Sequence, residues 1–371
     1  MYTSFENPQE FADQCRTLAQ GPDDWLLVCL ARNEEPKLDE TLASLSAQGY
    51  SIFGGVFPAL VDGAEVRETG AIVKPVKLLA APTIVQIDGN SIEPAALYPD
   101  ISGAAARPTC LVFADFSCVA VTSLLEDLFD KYGSDVNYFG AGAGNGTSTP
   151  SPVVFTDAGR YTGAAVVAFA DLESEVRLRH GWSRNSEHVI AIRTEGNVLK
   201  ELNWEPAMKV YHELVGDHVA DSLSRQEDVP EAKRYPFGIA REDLEDVVRD
   251  PLSATEAGEL IVLSGIPEHS VIHVLKAGND KLIDAAAKLG GDLRGAGDVD
   301  SCLVFDCFSR ARLLGNNFPR EIGAFVTALR TSHRDCRIEG ALALGKISSN
   351  GERFPEFHNK TIAASLFHAE R

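Results

Sequence analysis

Apolar and polar stretches alternate along this chain in a pattern that occurs three times. Each time, an apolar run of strand length is followed by a polar turn, a helical stretch and a second strand that contains glycine. Such a repeat predicts one architecture built from related modules, because the same apolar pattern must bury the same faces. The paired runs are Trp25–Leu30 with Ile52–Gly55, Thr109–Phe113 with Tyr138–Gly142, and Ser301–Phe305 with Glu339–Gly345.

The segments outside these units add further strands and helices. A helix is expected over residues 4–18, and short strands between residues 153 and 180 are typical of antiparallel sheet. Glu195–Asn197 predicts a hairpin turn, and Glu259–Ser264 with Ser270–Lys276 is expected to form a second hairpin. Together the patterns predict a mixed α/β (α+β) fold, in which repeated strand-helix-strand modules form mixed sheets in two pseudo-related halves.

A polar stretch divides the chain. Residues 217–236 are charged and lack apolar periodicity, so they are interpreted as a linker. The expected domains are therefore residues 1–216 and 217–371.

Charge and composition narrow the classes of function. The formal net charge is -20 and the pI is about 4.8, which does not suit nucleic acid or an anionic membrane surface as a partner. The first 20 residues have no apolar core typical of a secretory signal. Seven scattered cysteines, without a Cys-x-x-Cys pair or zinc spacing, indicate reduced thiols, no metal site and a cytoplasmic location.

Glycine falls at every second position from Gly140 to Gly146. A dinucleotide loop needs a different spacing and a helix directly after it, and neither is present. In a strand these glycines share one face, which another backbone or a ligand can approach closely. Structural packing and ligand approach both remain open.

Cys307 and Arg310 follow the third apolar strand directly. Arg310 could hold a carboxylate or phosphate in a bidentate pair, and Arg312 is the alternative. Nearby positive charge would lower the pKa of the Cys307 thiol, and His358 could then serve as its base. The alternative is that Cys307 is simply a small buried apolar residue.

Several short segments, in this order, resemble those of FIST-domain proteins, and the resemblance covers essentially the whole chain. It implies an N-terminal FIST half followed by a C-terminal FIST half. Two positions depart from the family pattern: Lys346 stands where a glutamate is usual, and Asn203-Trp204 stands where Asp-Gly is usual. The segments that carry the resemblance are Phe53–Gly55, Phe139–Gly144, His180–Trp182, Glu201–Tyr211, Cys307–Arg310 and Phe357–Thr361.

The resemblance implies a sensory role in signal transduction. Such a protein binds a small ligand, for example an amino acid or another anion, and passes its state to a signalling partner, for example a histidine kinase. The alternatives are a Cys307-dependent hydrolase or transferase, a haem-based nitric oxide sensor with His180, His188 or His212 as candidate ligands, and a scaffold without ligand. The ligand is expected between the halves, lined by Gly54, Gly55, Gly140, Gly142, Gly144, Cys307, Arg310, His358 and Asn359.

Overall fold

The fold is known from a computed structural model of the chain. It describes residues 1–4, 7–19, 24–87, 98–104, 107–118, 120–147, 151–225, 232–242, 245–295, 299–349 and 354–368. The helices are α1 (Pro8–Leu18), α2 (Leu38–Ala47), α3 (Val121–Tyr132), α4 (Ala207–Val215), α5 (Asp217–Ser224), α6 (Asn279–Asp292), α7 (Phe308–Leu314) and α8 (Phe318–Leu329). None of these described helices is long and apolar enough to cross a membrane.

The strands of the N-terminal part are β1 (Tyr2–Thr3), β2 (Trp25–Ala31), β3 (Ser51–Phe57), β4 (Ala59–Asp62), β5 (Glu65–Arg67), β6 (Ala71–Val76), β7 (Thr83–Gln86), β8 (Thr109–Asp115), β9 (Asn137–Ala143), β10 (Val154–Thr156), β11 (Gly159–Tyr161), β12 (Ala164–Ala170) and β13 (Ser174–Arg179). Those that follow are β14 (Ser183–Arg184), β15 (Val189–Glu195), β16 (Val198–Leu202), β17 (Glu205–Pro206), β18 (Phe237–Ile239), β19 (Val247–Ala254), β20 (Leu260–Leu263), β21 (Val271–Lys276), β22 (Val299–Cys307), β23 (Arg337–Ala343), β24 (Gly345–Ser349), β25 (Glu356–His358) and β26 (Ile362–His368).

The three sequence repeats form the centres of three mixed sheets. In each repeat the first and second strands pair in parallel, as β2 with β3, β8 with β9 and β22 with β23. The other side of each first strand pairs antiparallel with β6, β12 or β26. The predicted mixed sheets and strand-helix-strand modules are confirmed. The same pairing of a first strand with one parallel and one antiparallel neighbour occurs in all three sheets.

The three sheets exchange strands in a cycle. After β3 the chain continues into β4, which pairs with β23 of the sheet around β22. After β23 it continues into β24, which pairs with β9 of the sheet around β8. After β9 the next strand, β10, pairs with β3 of the first sheet. Each sheet therefore contains chain supplied by a neighbouring unit.

Aromatic rings from all three units meet at the centre of the molecule. The Phe57 ring lies 6.3 Å from that of Phe113 and 5.8 Å from that of Phe305, measured between centroids. The Phe113 and Phe305 rings are 6.0 Å apart, and Phe139 stacks on Phe305 at 5.3 Å. These separations suit attractive ring packing, so one shared core holds the sheets together.

Glycine recurs in the second strands because the neighbouring backbone comes very close. A Cβ atom at Gly54 or at Gly140 would lie 1.8 Å from the carbonyl oxygen of Val28 or Val112 respectively. At Gly340 the corresponding separation from the Val304 oxygen would be 1.7 Å. No side chain fits at such distances, which explains why the pattern is the same in all three units.

The fourth sheet closes into a six-stranded barrel. Its strands follow the order β21, β15, β16, β20, β19 and β18, and β18 pairs back to β21. The hairpin at Glu195–Asn197 is confirmed between β15 and β16. The second expected hairpin is wrong, because β20 pairs with β16 and β19, whereas β21 pairs with β14, β15 and β18.

Two local expectations also need correction. The N-terminal helix begins at Pro8, with the Asn7 side chain accepting a hydrogen bond from the Glu10 backbone at 2.8 Å, while residues 2–3 form a strand. The expected linker 217–236 begins with helix α5, which buries Val219 and Leu223, and its residues 226–231 lie outside the described residues. The boundary at 216/217 stays a prediction, and strands from both sides of it build the barrel.

Candidate functional site

Three segments that are distant in sequence meet at one turn after strand β25. Lys360 lies in this turn with a φ angle of +50°, a left-handed conformation that is uncommon for a residue with a side chain. Its carbonyl oxygen accepts a hydrogen bond from the Trp182 indole at 3.1 Å and from the Arg310 guanidinium at 3.3 Å. The turn is therefore fixed by residues of two other sequence segments.

The side chain of Lys360 is held as firmly as its backbone. Its Nζ lies 3.0 Å from the carboxylate of Asp250 in β19 and donates to the Lys233 carbonyl at 2.9 Å. The ammonium also lies 5.5 Å from the centroid of the Trp182 ring. These contacts join the barrel to the turn that carries Asn359.

Arg310 is completely enclosed and fully engaged. Its Nε donates to Glu321 at 2.6 Å, its Nη2 to the Leu282 carbonyl at 2.7 Å, and its Nη1 to the carbonyls of His180 and Lys360. No nitrogen of this guanidinium is left for a ligand. The anion-binding role expected for Arg310 stays a prediction, and these contacts favour a structural role for this residue.

Two carboxyl groups share the charge of Arg310. Glu321 pairs with the guanidinium directly, and Asp306 lies 4.0 Å from its Nε. Burial, and then the negative charge of Glu321, raise the pKa of Asp306 well above its ordinary value. The Asp306 carboxyl is thus inclined to hold its proton, while its Oδ1 accepts the Cys307 backbone N–H at 2.7 Å.

Cys307 is the last residue of strand β22, and its side chain lies on the opposite face of the strand from that of Asp306. Its thiol is only 4 % exposed and lies 3.6 Å from the hydroxyl of Ser309. Burial alone would raise its pKa, but the charge of Lys346, the hydrogen bond to Ser309 and the charge of Lys360 outweigh burial and lower the pKa to about 7. A substantial thiolate fraction is therefore expected near neutral pH.

Lys346 supplies the largest of these opposing effects. The residue is fully buried in β24, and its Nζ makes no hydrogen bond of good geometry to any described residue. Burial lowers the pKa of Lys346, whereas the nearby Cys307 sulfur and the Asp306 carboxyl raise it. The Cys307 sulfur is thus the anionic neighbour that matters most to this ammonium group.

His358 lies directly opposite Lys346 in the pairing of β25 with β24. Burial and the positive charges of Arg249 and Lys346 lower the pKa of His358 to about 3, although part of the residue remains exposed. The imidazole is neutral at physiological pH. No described hydrogen bond joins His358 to Cys307, so the structure does not bring them together as a hydrogen-bonded nucleophile and base.

Asn359 lines a small cavity together with Cys307. The residue is 1 % exposed, and neither its Nδ2 nor its Oδ1 has a hydrogen-bond partner among the described residues. A buried amide without partners is unfavourable unless a ligand or water satisfies it. The cavity, here called the inner cavity, has a volume of about 70 Å³ and is lined by Phe116, Asp250, Leu263, Cys307, Phe308, Ser309, Leu344, Asn359 and Lys360.

A larger cavity, here called the outer cleft, adjoins the inner cavity and shares Phe116 and Leu263 with it. Its volume is about 220 Å³. One wall belongs to the loop before α3 and the first turn of that helix, and another wall belongs to the barrel. The remaining lining residues are Ser117, Cys118, Val121, Thr122, Asn197, Leu252, Val262, Ser264 and Phe357.

The expected glycine lining is not part of either cavity. A Cβ at Gly142 would lie 3.0 Å from the Gly345 nitrogen, and one at Gly144 would lie 2.3 Å from the Leu344 side chain. At Gly55 the nearest atom, at 2.9 Å, would be the Ala143 Cβ, and Gly54 and Gly140 face valine backbone. Close packing against protein therefore explains these glycines, and their ligand-binding role remains untested.

The candidate haem ligands lie in different settings. His180 is buried and its Nδ1 accepts the Trp182 backbone N–H at 2.8 Å, His188 is exposed on the barrel, and His212 contacts Asp217 at 3.2 Å. Both cavities are smaller than the roughly 300 Å³ at which pockets for drug-sized ligands begin, so they fit a haem poorly. Within the described ranges, no group of three or more His, Cys, Asp or Glu residues could hold a metal ion.

Two important residues of the site are not predicted from the sequence. Lys346 stands out only as a departure from the family pattern, and Asp250 belongs to a barrel strand that the apolar pattern does not predict. The other departure, Asn203-Trp204, forms the turn between β16 and β17 and lines neither cavity. Both residues have positive φ angles, 48° and 64°, and Trp204 is 74 % exposed.

Two family models match this chain, and the turn with Asn359 and Lys360 lies beyond the matched residues. The family model described as the FIST N domain matches residues 41–205, and the one described as the FIST C domain matches residues 207–349. The chain matches none of the curated proteins.

Proposed function

Because this chain belongs to the FIST family, whose domains are associated with the sensing of small ligands in signal transduction, we propose that it binds a small polar ligand in the inner cavity. The ligand class is an amino acid or another small carboxylate. The ligand-bound state is then passed to a separate signalling protein, such as a histidine kinase.

The buried Asn359 amide is the observation that carries this proposal. It offers an NH2 group that can donate and a carbonyl oxygen that can accept, and neither is satisfied within the described part of the protein. A carboxylate oxygen would accept from Nδ2, and an ammonium or hydroxyl group would donate to Oδ1. The rigid turn around Lys360 keeps this amide in place before the ligand arrives, which reduces the entropy lost on binding.

The connection between the inner cavity and the barrel offers a way to pass on the signal. Asp250 of β19 lines the cavity and is paired with Lys360, next to Asn359 in sequence. A ligand that shifts the Asn359 turn would therefore also shift the Asp250 pair. The partner protein would read this change at the barrel surface.

The test is a thermal-shift screen of the full chain against amino acids and small organic acids, followed by calorimetry of each hit. Asn359→Ala should weaken binding roughly tenfold to a hundredfold, as expected for the loss of one or two hydrogen bonds. Asn137→Ala is the matched control, because this buried amide has a protein partner, the Ser174 carbonyl at 2.8 Å, and lies outside the cavity. If no compound stabilises the wild type, or if Asn359→Ala binds equally well, the proposal is wrong.

A Cys307-dependent hydrolase or transferase is a second candidate, favoured by the lowered pKa of the thiol. Covalent catalysis needs an activated nucleophile and a general acid or base within reach. Lys346 is the residue closest to that role. An acylated Cys307 peptide in mass spectra after incubation with activated esters, lost in Cys307→Ser, would support this candidate over a purely reversible sensor.

A further inference from the structure

We propose that Cys307 is a peroxide-sensing thiol, oxidised to sulfenic acid within the inner cavity with the help of Lys346 and Asn359. The proposal rests on the proposed sensory function of the same cavity and names the chemical class that acts there covalently. Three observations carry it: a cavity that the sulfur lines, a buried ammonium whose main anionic neighbour is the same sulfur, and an amide that lines the same cavity without a hydrogen-bond partner among the described residues.

The inner cavity fits the oxidant in size and position. Its volume of about 70 Å³ exceeds the roughly 30 Å³ that one water molecule occupies in the liquid, so hydrogen peroxide fits beside the sulfur. Larger hydroperoxides would extend into the outer cleft, which shares Phe116 and Leu263 with the cavity. Cys302, by contrast, is fully buried in the middle of β22, and burial raises the pKa of its thiol well above the ordinary value.

Lys346 sets the reactivity of the thiol. It is fully buried without a hydrogen bond of good geometry in the described structure. The other charged groups near the sulfur have partners of their own: Lys360 pairs with Asp250, and Arg310 pairs with Glu321. A cation beside a thiol favours the thiolate, whereas a neutral side chain at this position would leave burial to favour the protonated thiol.

The chemical step balances with peroxide as the oxidant. The Cys307 thiolate attacks one oxygen of hydrogen peroxide, a sulfur–oxygen bond forms and the oxygen–oxygen bond breaks. Sulfur loses two electrons to the peroxide, and the departing hydroxide takes a proton from the Lys346 ammonium and leaves as water. Lys346 then regains a proton from solvent. The Asn359 amide can hold the peroxide by donating to one oxygen and accepting from the other.

The oxidised residue differs from the thiol in size and hydrogen bonding. Sulfenic acid adds one oxygen to a cavity that is bounded by Asn359 and Ser309. The new hydroxyl group would use the Asn359 amide and exclude the reversible ligand. Oxidation would therefore block ligand binding in the inner cavity until cellular thiols reduce the sulfenic acid.

The experiment treats the reduced full chain at pH 7 with a small excess of hydrogen peroxide and traps sulfenic acid with dimedone. Peptide mass spectrometry then measures labelling at each cysteine. We expect Cys307 to be labelled first and Cys302 to remain unlabelled. Lys346→Met should reduce the rate at Cys307 roughly tenfold at pH 7, because the thiolate fraction falls, and the difference should narrow near pH 9.5.

Lys346→Gln is the second variant, in case the Lys346→Met protein does not fold. The wild type also gives an independent reading, since alkylation of Cys307 by iodoacetamide should be half-maximal near pH 7. Labelling at Cys118 in place of Cys307, or equal rates in wild type and Lys346→Met at pH 7, would overturn the inference. Alkylation without oxidation would overturn peroxide sensing. Ligand binding that persists in Cys307→Ser would leave the proposed function intact in either case.

Discussion

Asp306 and Cys307 are neighbours at the end of β22, yet their side chains enter two very different polar environments. On the Asp306 side, every nitrogen of Arg310 donates to a protein oxygen, and each of the two carboxyl groups has at least one hydrogen bond. On the Cys307 side, Lys346 and Asn359 have no good hydrogen-bond partner among the described residues. The first environment is a closed ion-pair network in which one oxygen of each carboxyl group lacks a hydrogen-bond partner in the described structure, whereas the second is where we propose that a ligand binds.

The difference teaches how residue spacing can mislead. Cys307 and Arg310 are three residues apart and were expected to line one site. Alternation along the strand and the first turn of α7 instead send them to opposite sides of the sheet, the arginine towards α6 and α8 and the thiol towards the cavity.

The strongest test of this comparison is Arg310→Met. It leaves Glu321 buried without its cation and should cost about 3–5 kcal/mol in the free energy of unfolding, measured with urea. The double variant Arg310→Met with Glu321→Met should recover much of this loss, because the unpaired Glu321 carboxylate is removed and burial keeps the remaining Asp306 carboxyl protonated. A single variant as stable as the wild type would show that Arg310 is not the structural element described here.

A second test compares two buried asparagines. Asn137→Ala removes a satisfied hydrogen bond and should destabilise the protein by about 1–3 kcal/mol. Asn359→Ala removes an amide without partners, so without ligand it should be neutral or slightly stabilising. Urea unfolding of both variants measures the contrast. An equal loss in both would mean that Asn359 contributes to the fold as Asn137 does.

The smallest expected effect is a dependence of stability on pH. The pKa of Cys307 is about 7 in the folded protein, and an unfolded cysteine has a pKa of about 8.5. Between these values the unfolded chain holds the proton that the folded chain has released, so this residue makes stability increase as pH rises, by at most about 2 kcal/mol. The gain is lost as pH falls through 7. Cys307→Ser should flatten the curve from pH 7 to 9, and an unchanged slope would contradict the lowered pKa.

Much of the fold could be predicted from the sequence, because strands and helices of the three modules are recorded in local apolar patterns such as Leu303–Phe305. The barrel could not be predicted, since its closure depends on β18 pairing with β21, and local pattern does not specify distant partners. For the site, the family resemblance indicates Asn359 and Cys307, which line one cavity, and their ligand-binding role stays a prediction. It could not give the role of Lys346, because only the three-dimensional structure places that ammonium beside the thiol.

The cyclic exchange of strands among the sheets has a consequence for the order of synthesis. Strand β4 leaves the ribosome roughly 280 residues before its partner β23, which at about 5–20 residues per second means roughly 15–55 s of waiting. During this interval the central sheet around β22 cannot form, and apolar strand edges remain available to wrong partners. A nascent chain that stalls before residue 337 would therefore depend on chaperones, and the inner cavity would be assembled only after Asn359 has been made.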